Sequence, residues 1–102
     1  MKKKANFWAE KKFLKMPKFP TEFSSRASKY IKKLEKRIRF RVEDKIKNLE
    51  ENPFPKEVER VQSYKGEKIF RVRIGNQRIL YIVKYNPNKI IIAKVDKRER
   101  AY

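Results

Sequence analysis

The sequence predicts one α+β domain in which two helices pack on one face of an antiparallel sheet of four or five strands. Apolar residues recur every three or four positions between residues 24 and 52, whereas from residue 69 they alternate with charged residues or form short β-branched runs. Turn residues separate the later runs at short intervals, as in antiparallel hairpins. A chain of 102 residues has room for one such core and not for two.

The helical region begins at Ser24 or Ser25, either of which is a suitable N-cap. A run of this length is long for one globular helix, so we expect an antiparallel pair of helices that bends near residues 35–37. Asn52 ends the second helix, because the proline that follows pushes the residue before it out of the helical conformation. The predicted apolar face consists of Phe23, Ala27, Ile31, Leu34, Ile38, Val42, Ile46 and Leu49.

Strands are predicted on both sides of the helical region. Before it, residues 18–23 form a short extended segment, and because Pro20 cannot donate a hydrogen bond this is either an edge strand or a strand that begins after Pro20. After it, the continuous apolar run at residues 79–83 predicts a central strand that is covered on both faces. The other predicted strands are residues 58–64, 70–74 and 90–95, with turns at residues 65–67, 75–76 and 86–88.

Residues 1–17 carry six Lys and one Glu, and we expect them to form a basic N-terminal extension to a domain of residues 18–102. Residues 5–14 have the pattern of a short amphipathic helix, which Pro17 would end. The extension is either a tail whose aromatic residues pack on the domain or an RNA-binding arm, and both alternatives stay open.

The composition favours a polyanionic partner, since 30 Lys and Arg against 12 Asp and Glu give a net charge of +18. Nucleic acid fits best, because each neutralised phosphate releases a counterion. No segment approaches the roughly 20 apolar residues of a membrane span, and no signal peptide is visible. We therefore expect a cytoplasmic protein without a membrane partner.

The absence of Cys and His limits the chemistry that the sequence can support. Without Cys there is no disulfide and no thiolate, and without His the usual metal ligand and near-neutral acid–base group are missing. We expect no metal and no cofactor, and any catalysis must use Lys, Arg, Tyr, Asp or Glu.

Basic residues are concentrated in the predicted sheet, where residues 69–102 contain nine basic and two acidic residues. Strand alternation places Arg71 and Arg73 on the face opposite Phe70, Val72 and Ile74. Arg78 begins the neighbouring strand close to both arginines and, like them, has no acidic partner within its own strand. Since Arg matches phosphate bidentately, we expect an unbalanced guanidinium cluster that binds phosphate, although a merely solvated face is the alternative.

Three segments, in this order and spacing, resemble the RelE/ParE toxin superfamily: FSSRASKYIKKLEKRIRFRVEDKIKNLEENPFP, FRVRIGNQRILYIV and IIIAKVDKRERAY. The resemblance covers residues 21–102 and implies two N-terminal helices on a twisted antiparallel sheet. In the RelE branch it also implies a toxin of a type II toxin–antitoxin system, which enters the ribosomal A site and cleaves mRNA there without a metal. An acidic antitoxin would cover the groove between the helices or add a strand to the sheet edge.

The resemblance also assigns roles to individual residues. A strand that alternates apolar and basic residues carries Arg71 and Arg73, Arg78 precedes the Leu-Tyr pair of the next strand, and Lys97 stands where many members have His. Tyr102 would stack on a base or act as the general base, for which Lys94 and Lys97 are the alternatives. The expected catalytic residues are Arg71, Arg73, Arg78, Arg98 and Tyr102, and the expected RNA-binding residues are Lys94, Lys97 and Arg100.

Two other functions are compatible with the same residues. The ParE branch shares the fold but inhibits DNA gyrase and has no nuclease activity. A non-enzymatic RNA- or ribosome-binding protein would use the whole basic surface for positioning alone.

Overall fold

Two helices follow a short first strand, and four longer strands complete the order of elements. The structure, a computed structural model, describes residues 17–64 and 66–97, without the side chains of residues 62–64. Residues 1–16 of the predicted basic extension, with their short helix, lie outside the described residues. The elements are β1 (Thr21–Phe23), α1 (Ser25–Lys32), α2 (Lys36–Glu51), β2 (Glu59–Tyr64), β3 (Glu67–Ile74), β4 (Gln77–Lys84) and β5 (Lys89–Lys97).

The helix pair is confirmed, with its break at residues 33–35. Ser24 is the N-cap of α1, since its hydroxyl oxygen accepts a hydrogen bond of 3.0 Å from the backbone N–H of Ala27. α2 ends at Asn52, immediately before Pro53, as the proline rule predicts. Neither described helix is long and apolar enough to cross a membrane.

The five strands form one sheet in the order β1-β5-β4-β3-β2. The four strands from β2 to β5 pair antiparallel with their chain neighbours, as predicted from the short turns between them. β1 lies at the sheet edge, as expected, but pairs in parallel with β5, so the sheet is mixed. The hairpin argument does not apply to β1, because both helices separate it from the strand that it joins.

The helices cover one face of this sheet and form the core with it. Tyr81, at the centre of that face, donates a hydrogen bond of 2.5 Å from its hydroxyl to the carbonyl oxygen of Pro53. The bond ties the end of α2 to β4, and burial is the main cause that raises the pKa of Tyr81. The buried apolar residues are Ala27, Ile31, Val42, Ile46, Leu49, Val72, Ile79, Tyr81, Ile90, Ile92 and Val95.

The opposite face, here called the sheet face, is not covered by any described element. Ile79 and Tyr81 are buried, whereas Leu80 and Ile82, which alternate with them, are half-buried. The prediction that residues 79–83 are covered on both faces is therefore wrong. A run of apolar residues does not by itself show how many layers surround a strand, because a half-exposed apolar position looks the same in sequence.

A β-bulge interrupts the pairing of β4 with β5. Tyr81 pairs with Ile92, but Leu80 pairs with Lys94, so Ala93 has no partner in the register. The hydroxyl of Ser24 donates a hydrogen bond of 2.8 Å to the carbonyl oxygen of Ala93. One side chain therefore caps α1 and holds the bulge.

We predict that Ser24→Ala lowers the free energy of unfolding by about 2 kcal/mol, because it removes a helix cap and a second hydrogen bond. Ser24→Asp keeps the cap but cannot donate to Ala93, and should cost about 1 kcal/mol. Ser24→Thr keeps both bonds and should resemble the wild type. Urea denaturation measures all three, and a Ser24→Asp protein as stable as the wild type would show that the bulge contact contributes nothing.

Candidate nucleic-acid interface

The sheet register brings the predicted basic residues of three strands onto the sheet face. Arg73 lies directly opposite Arg78, and Arg71 lies opposite Leu80, which in turn lies opposite Lys94. Directly opposite residues share a face, so the predicted shared face of Arg71 and Arg73 is confirmed, and Arg78 lies beside them as expected. The face also receives Lys94, one of the expected RNA-binding residues.

Arg71 is held by a carboxylate from the neighbouring strand β2. Its Nε and Nη2 lie 3.0 and 2.7 Å from Oε1 of Glu59, and Nη2 of Arg73 lies 4.0 Å from the same oxygen. The hydrogen bond from Arg71 is the main cause that lowers the pKa of Glu59 below its ordinary value of 4.5. Arg73 is more weakly engaged and more exposed, with 42% of its side-chain surface accessible against 25% for Arg71.

Arg78 is held by a carboxylate from β5. Its Nε and Nη2 lie 2.9 and 3.1 Å from the two oxygens of Asp96, a bidentate arrangement. Nζ of Lys94 approaches the same carboxylate at 3.4 Å. Asp96 therefore links two of the expected functional residues across the hairpin.

The prediction of an unbalanced guanidinium cluster at Arg71, Arg73 and Arg78 is wrong, because each has a carboxylate within 4.0 Å. The acidic partners come from adjacent strands, which inspection of one strand at a time does not reveal. Among the described residues the sheet face carries six cations, Arg71, Arg73, Arg78, Lys84, Lys89 and Lys94, and four carboxylates, Glu22, Glu59, Glu67 and Asp96. The face is positive, but only moderately so.

The β-bulge explains why Asp96 was missed. Counting outward from the pair Lys84 and Lys89 at the turn places Val95 opposite Arg78, whereas the extra residue Ala93 shifts the register and brings Asp96 there. The hairpin itself was predictable from its turn residues. No pattern in the local sequence predicts the bulge.

Lys97 does not lie on the sheet face with Lys94. It pairs with Gln77 on the helix side of the sheet, where it lines a cavity of about 530 Å³ together with Tyr30 and Arg41. Gln77 is buried there and accepts a hydrogen bond of 2.7 Å from the Tyr30 hydroxyl. Arg98, Arg100 and Tyr102 lie outside the described residues.

The sequence pattern of the family described as "ParE toxin of type II toxin-antitoxin system, parDE" matches residues 9–102. A protein of Methanocaldococcus jannaschii that bears the name of a RelE1 toxin is 37% identical over 86 residues, which are 83% of this chain and 96% of that protein.

Solved structures of RelE proteins have the same fold. RelE in the archaeal RelE–RelB complex of Pyrococcus horikoshii superposes with a TM-score of 0.72 at 25% identity, over 82% of this chain and 99% of that one. The isolated RelE toxin of E. coli superposes with a TM-score of 0.69 at 20% identity, over 81% of this chain and 87% of that one, a likeness of fold.

We predict that Arg71→Gln raises the pKa of Glu59 towards its ordinary value of 4.5, because the hydrogen bond that lowers it most is lost while the smaller effect of Arg73 remains. The lowered pKa of Glu59 stabilises the folded protein above pH 4.5, and this stabilisation is lost as the pH falls through the pKa of the folded state. The variant should therefore lose less stability on acidification than the wild type does. Carboxyl-carbon NMR titration measures the pKa, with Arg41→Gln as the control. An unchanged Glu59 titration in Arg71→Gln would show that the ion pair does not form in solution.

Proposed function

Since the chain belongs to the ParE toxin family of type II toxin–antitoxin systems, within the RelE/ParE superfamily, we propose that it is a RelE-type toxin that cleaves mRNA on the ribosome without a metal ion. The observation that carries the proposal is the register of β3, β4 and β5, which gathers Arg71, Arg73, Arg78 and Lys94 on a sheet face that neither described helix covers. The relative named for a RelE1 toxin and the fold shared with RelE structures support the RelE branch.

The proposed reaction is attack of an RNA 2′-hydroxyl on the adjacent phosphate, with release of the 5′-oxygen. The developing negative charge on the phosphate needs fixed cations, which act most strongly when they are already oriented. Arg73 is suited to this role because its side chain is exposed and is engaged only at 4.0 Å by Glu59. Arg78 lies directly opposite it and would hold the same phosphate group.

The carboxylates of the sheet face have a part in this proposal as well. A guanidinium has five N–H donors, and Arg71 directs two of its nitrogen atoms to Glu59. Glu59 would therefore orient the guanidinium plane of Arg71 before RNA binds. It would also compete with the RNA phosphate for that guanidinium. Asp96 would do the same for Arg78.

Proton transfer in the proposed reaction falls to Lys94 or Tyr102, because the chain has no His. Lys94 is 44% exposed on the sheet face, so its ammonium group would be accessible to a phosphate bound there. Tyr102 keeps the role that the family resemblance gives it.

An antitoxin partner is part of the proposal. The solved RelE structures of Pyrococcus horikoshii and Mycobacterium tuberculosis are toxin–antitoxin complexes. A chain of net charge +18 would be matched by an acidic antitoxin that neutralises it while bound.

A second candidate function is inhibition of DNA gyrase, which the ParE description of the matching family favours. In that case the sheet-face cations would contact a protein or DNA and would not perform chemistry. The same variants separate the two functions when translation and supercoiling are assayed side by side.

We predict that Arg73→Gln lowers the rate of mRNA cleavage on programmed ribosomes by about 100-fold or more, because it removes a preorganised positive charge from the phosphate site. Arg78→Gln should have a similar effect. The matched control is Lys89→Gln, which removes one cation from the same face near its β1 edge, where Lys89 pairs with Glu22.

Cleavage is measured by mapping 5′ ends, and thermal melting confirms that each variant is folded. Wild-type cleavage by both arginine variants would remove the site assignment. Inhibition of supercoiling by the wild-type protein, without any cleavage, would favour the gyrase function instead.

A further inference from the structure

A cluster of cations without carboxylate partners among the described residues lies along α1, on the other side of the molecule from the sheet face. Residues 26–37 contain six cations and one carboxylate, Glu35. Within the described ranges, 17–64 and 66–97, no carboxylate pairs with Arg26, Lys29 or Lys33. On the sheet face, by contrast, Arg71, Arg78, Lys84, Lys89 and Lys94 all have carboxylate partners.

Arg26, Lys29 and Lys33, here called the α1 stripe, form one continuous surface. Their spacing of three and four residues puts them on the same side of the helix over about two turns. All three are exposed, and together with Ser25 and Tyr30 they line a depression of about 520 Å³. The Tyr30 ring is fixed there by its hydrogen bond to Gln77.

Helix stability favours Lys29 and Lys33, which lie at the C-terminal end of α1, but it does not account for Arg26. Cations are favourable in the last turn of a helix, where Lys29 and Lys32 lie, but unfavourable in the first turn. Arg26 lies in the first turn of α1, and neither helix has an acidic residue in its first turn. Mutual repulsion along α1 is a further cost, which a bound polyanion would offset.

We infer that the α1 stripe binds the phosphate backbone of folded RNA. Charge complementarity selects a polyanion, and Lys side chains contact phosphates as point charges without reading bases. The stripe and the sheet face lie on opposite sides of the sheet, so one extended strand does not contact both. Under the proposed function the strand to be cleaved occupies the sheet face, and the α1 stripe holds a second RNA segment.

The carboxyl-terminal half of α2 provides the internal contrast. There Lys45 and Lys47 are accompanied by Glu43, Asp44, Glu50 and Glu51, and Lys45 pairs with Glu57. Exposed lysines in that region contribute to the net charge but do not form a one-sign surface. The inference therefore predicts that RNA binding depends on where the cations lie on the surface, and not on the net charge alone.

The test compares two triple variants of the full chain that lose the same charge. Arg26→Gln, Lys29→Gln and Lys33→Gln are combined in one, and Lys47→Gln, Lys56→Gln and Lys68→Gln, all exposed positions, in the other. Binding to a 24-nucleotide RNA hairpin is measured against salt concentration. Loss of three phosphate contacts should lower the slope of log affinity against log salt by about 2 to 3, and the affinity near 0.1 M salt on the order of 100-fold.

The control triple should change both quantities far less. A third triple variant, Arg26→Lys with Lys29→Arg and Lys33→Arg, preserves the charge of the α1 stripe and should bind as the wild type does. Equal losses in the two glutamine triples would overturn the inference. So would an α1 glutamine triple that keeps hairpin binding but no longer binds a poly-glutamate peptide, since the surface would then serve an acidic protein.

This inference extends the proposed function, but its readout is binding and does not require cleavage. Failure of mRNA cleavage in the wild type would therefore remove the proposed function and leave the α1 result standing. Thermal melting of each triple confirms that a loss of binding is not a loss of fold.

Discussion

The arrangement of the sheet face depends on the β-bulge at Ala93. Up to Ile92, the side chains of β5 point alternately to the core and to the sheet face. The extra residue, Ala93, then shifts the rest of the strand by one position. As a result Val95 is buried, while Lys94 and Asp96 lie on the sheet face beside Leu80 and Arg78. A regular strand would reverse these positions, because strand alternation has a period of two.

Ser24 connects this bulge to the helical layer. Its hydroxyl accepts from the N–H of Ala27 and donates to the carbonyl of Ala93, and its own N–H donates to the carbonyl of Ile92 at 3.0 Å. One residue therefore positions both the start of α1 and the middle of β5. The α1 stripe begins two residues after Ser24. Contacts of Ser24 therefore position both the α1 stripe and the part of β5 that carries Lys94 and Asp96.

The two surfaces handle positive charge in different ways. On the sheet face, carboxylates from β2 and β5 orient Arg71 and Arg78, which suits a site where guanidinium geometry matters. On α1 the cations stand without such partners among the described residues, which suits salt-dependent attraction without fixed geometry. The chain as a whole is basic, but the function proposed for each surface follows from its local balance.

Most of the fold could be predicted because local rules decide it. Helical periodicity, the Ser24 cap and Pro53 located the helices, and the turns at residues 75–76 and 86–88 located the hairpins. Features that depend on how one strand pairs with another could not be predicted. These include the parallel pairing of β1, the carboxylate partners of the arginines and the bulge at Ala93, since each depends on contacts between residues far apart in sequence.

The most direct test of RNA binding at the sheet face is NMR of the arginine side chains during titration with a 12-nucleotide single-stranded RNA. We expect the Nε–Hε signals of Arg73 and Arg78 to shift together at the first equivalents of RNA. The signal of Arg39, which pairs with Glu43 on α2, should stay in place. Shifts confined to helix arginines, with Arg73 and Arg78 unchanged, would contradict the placement of RNA on the sheet face.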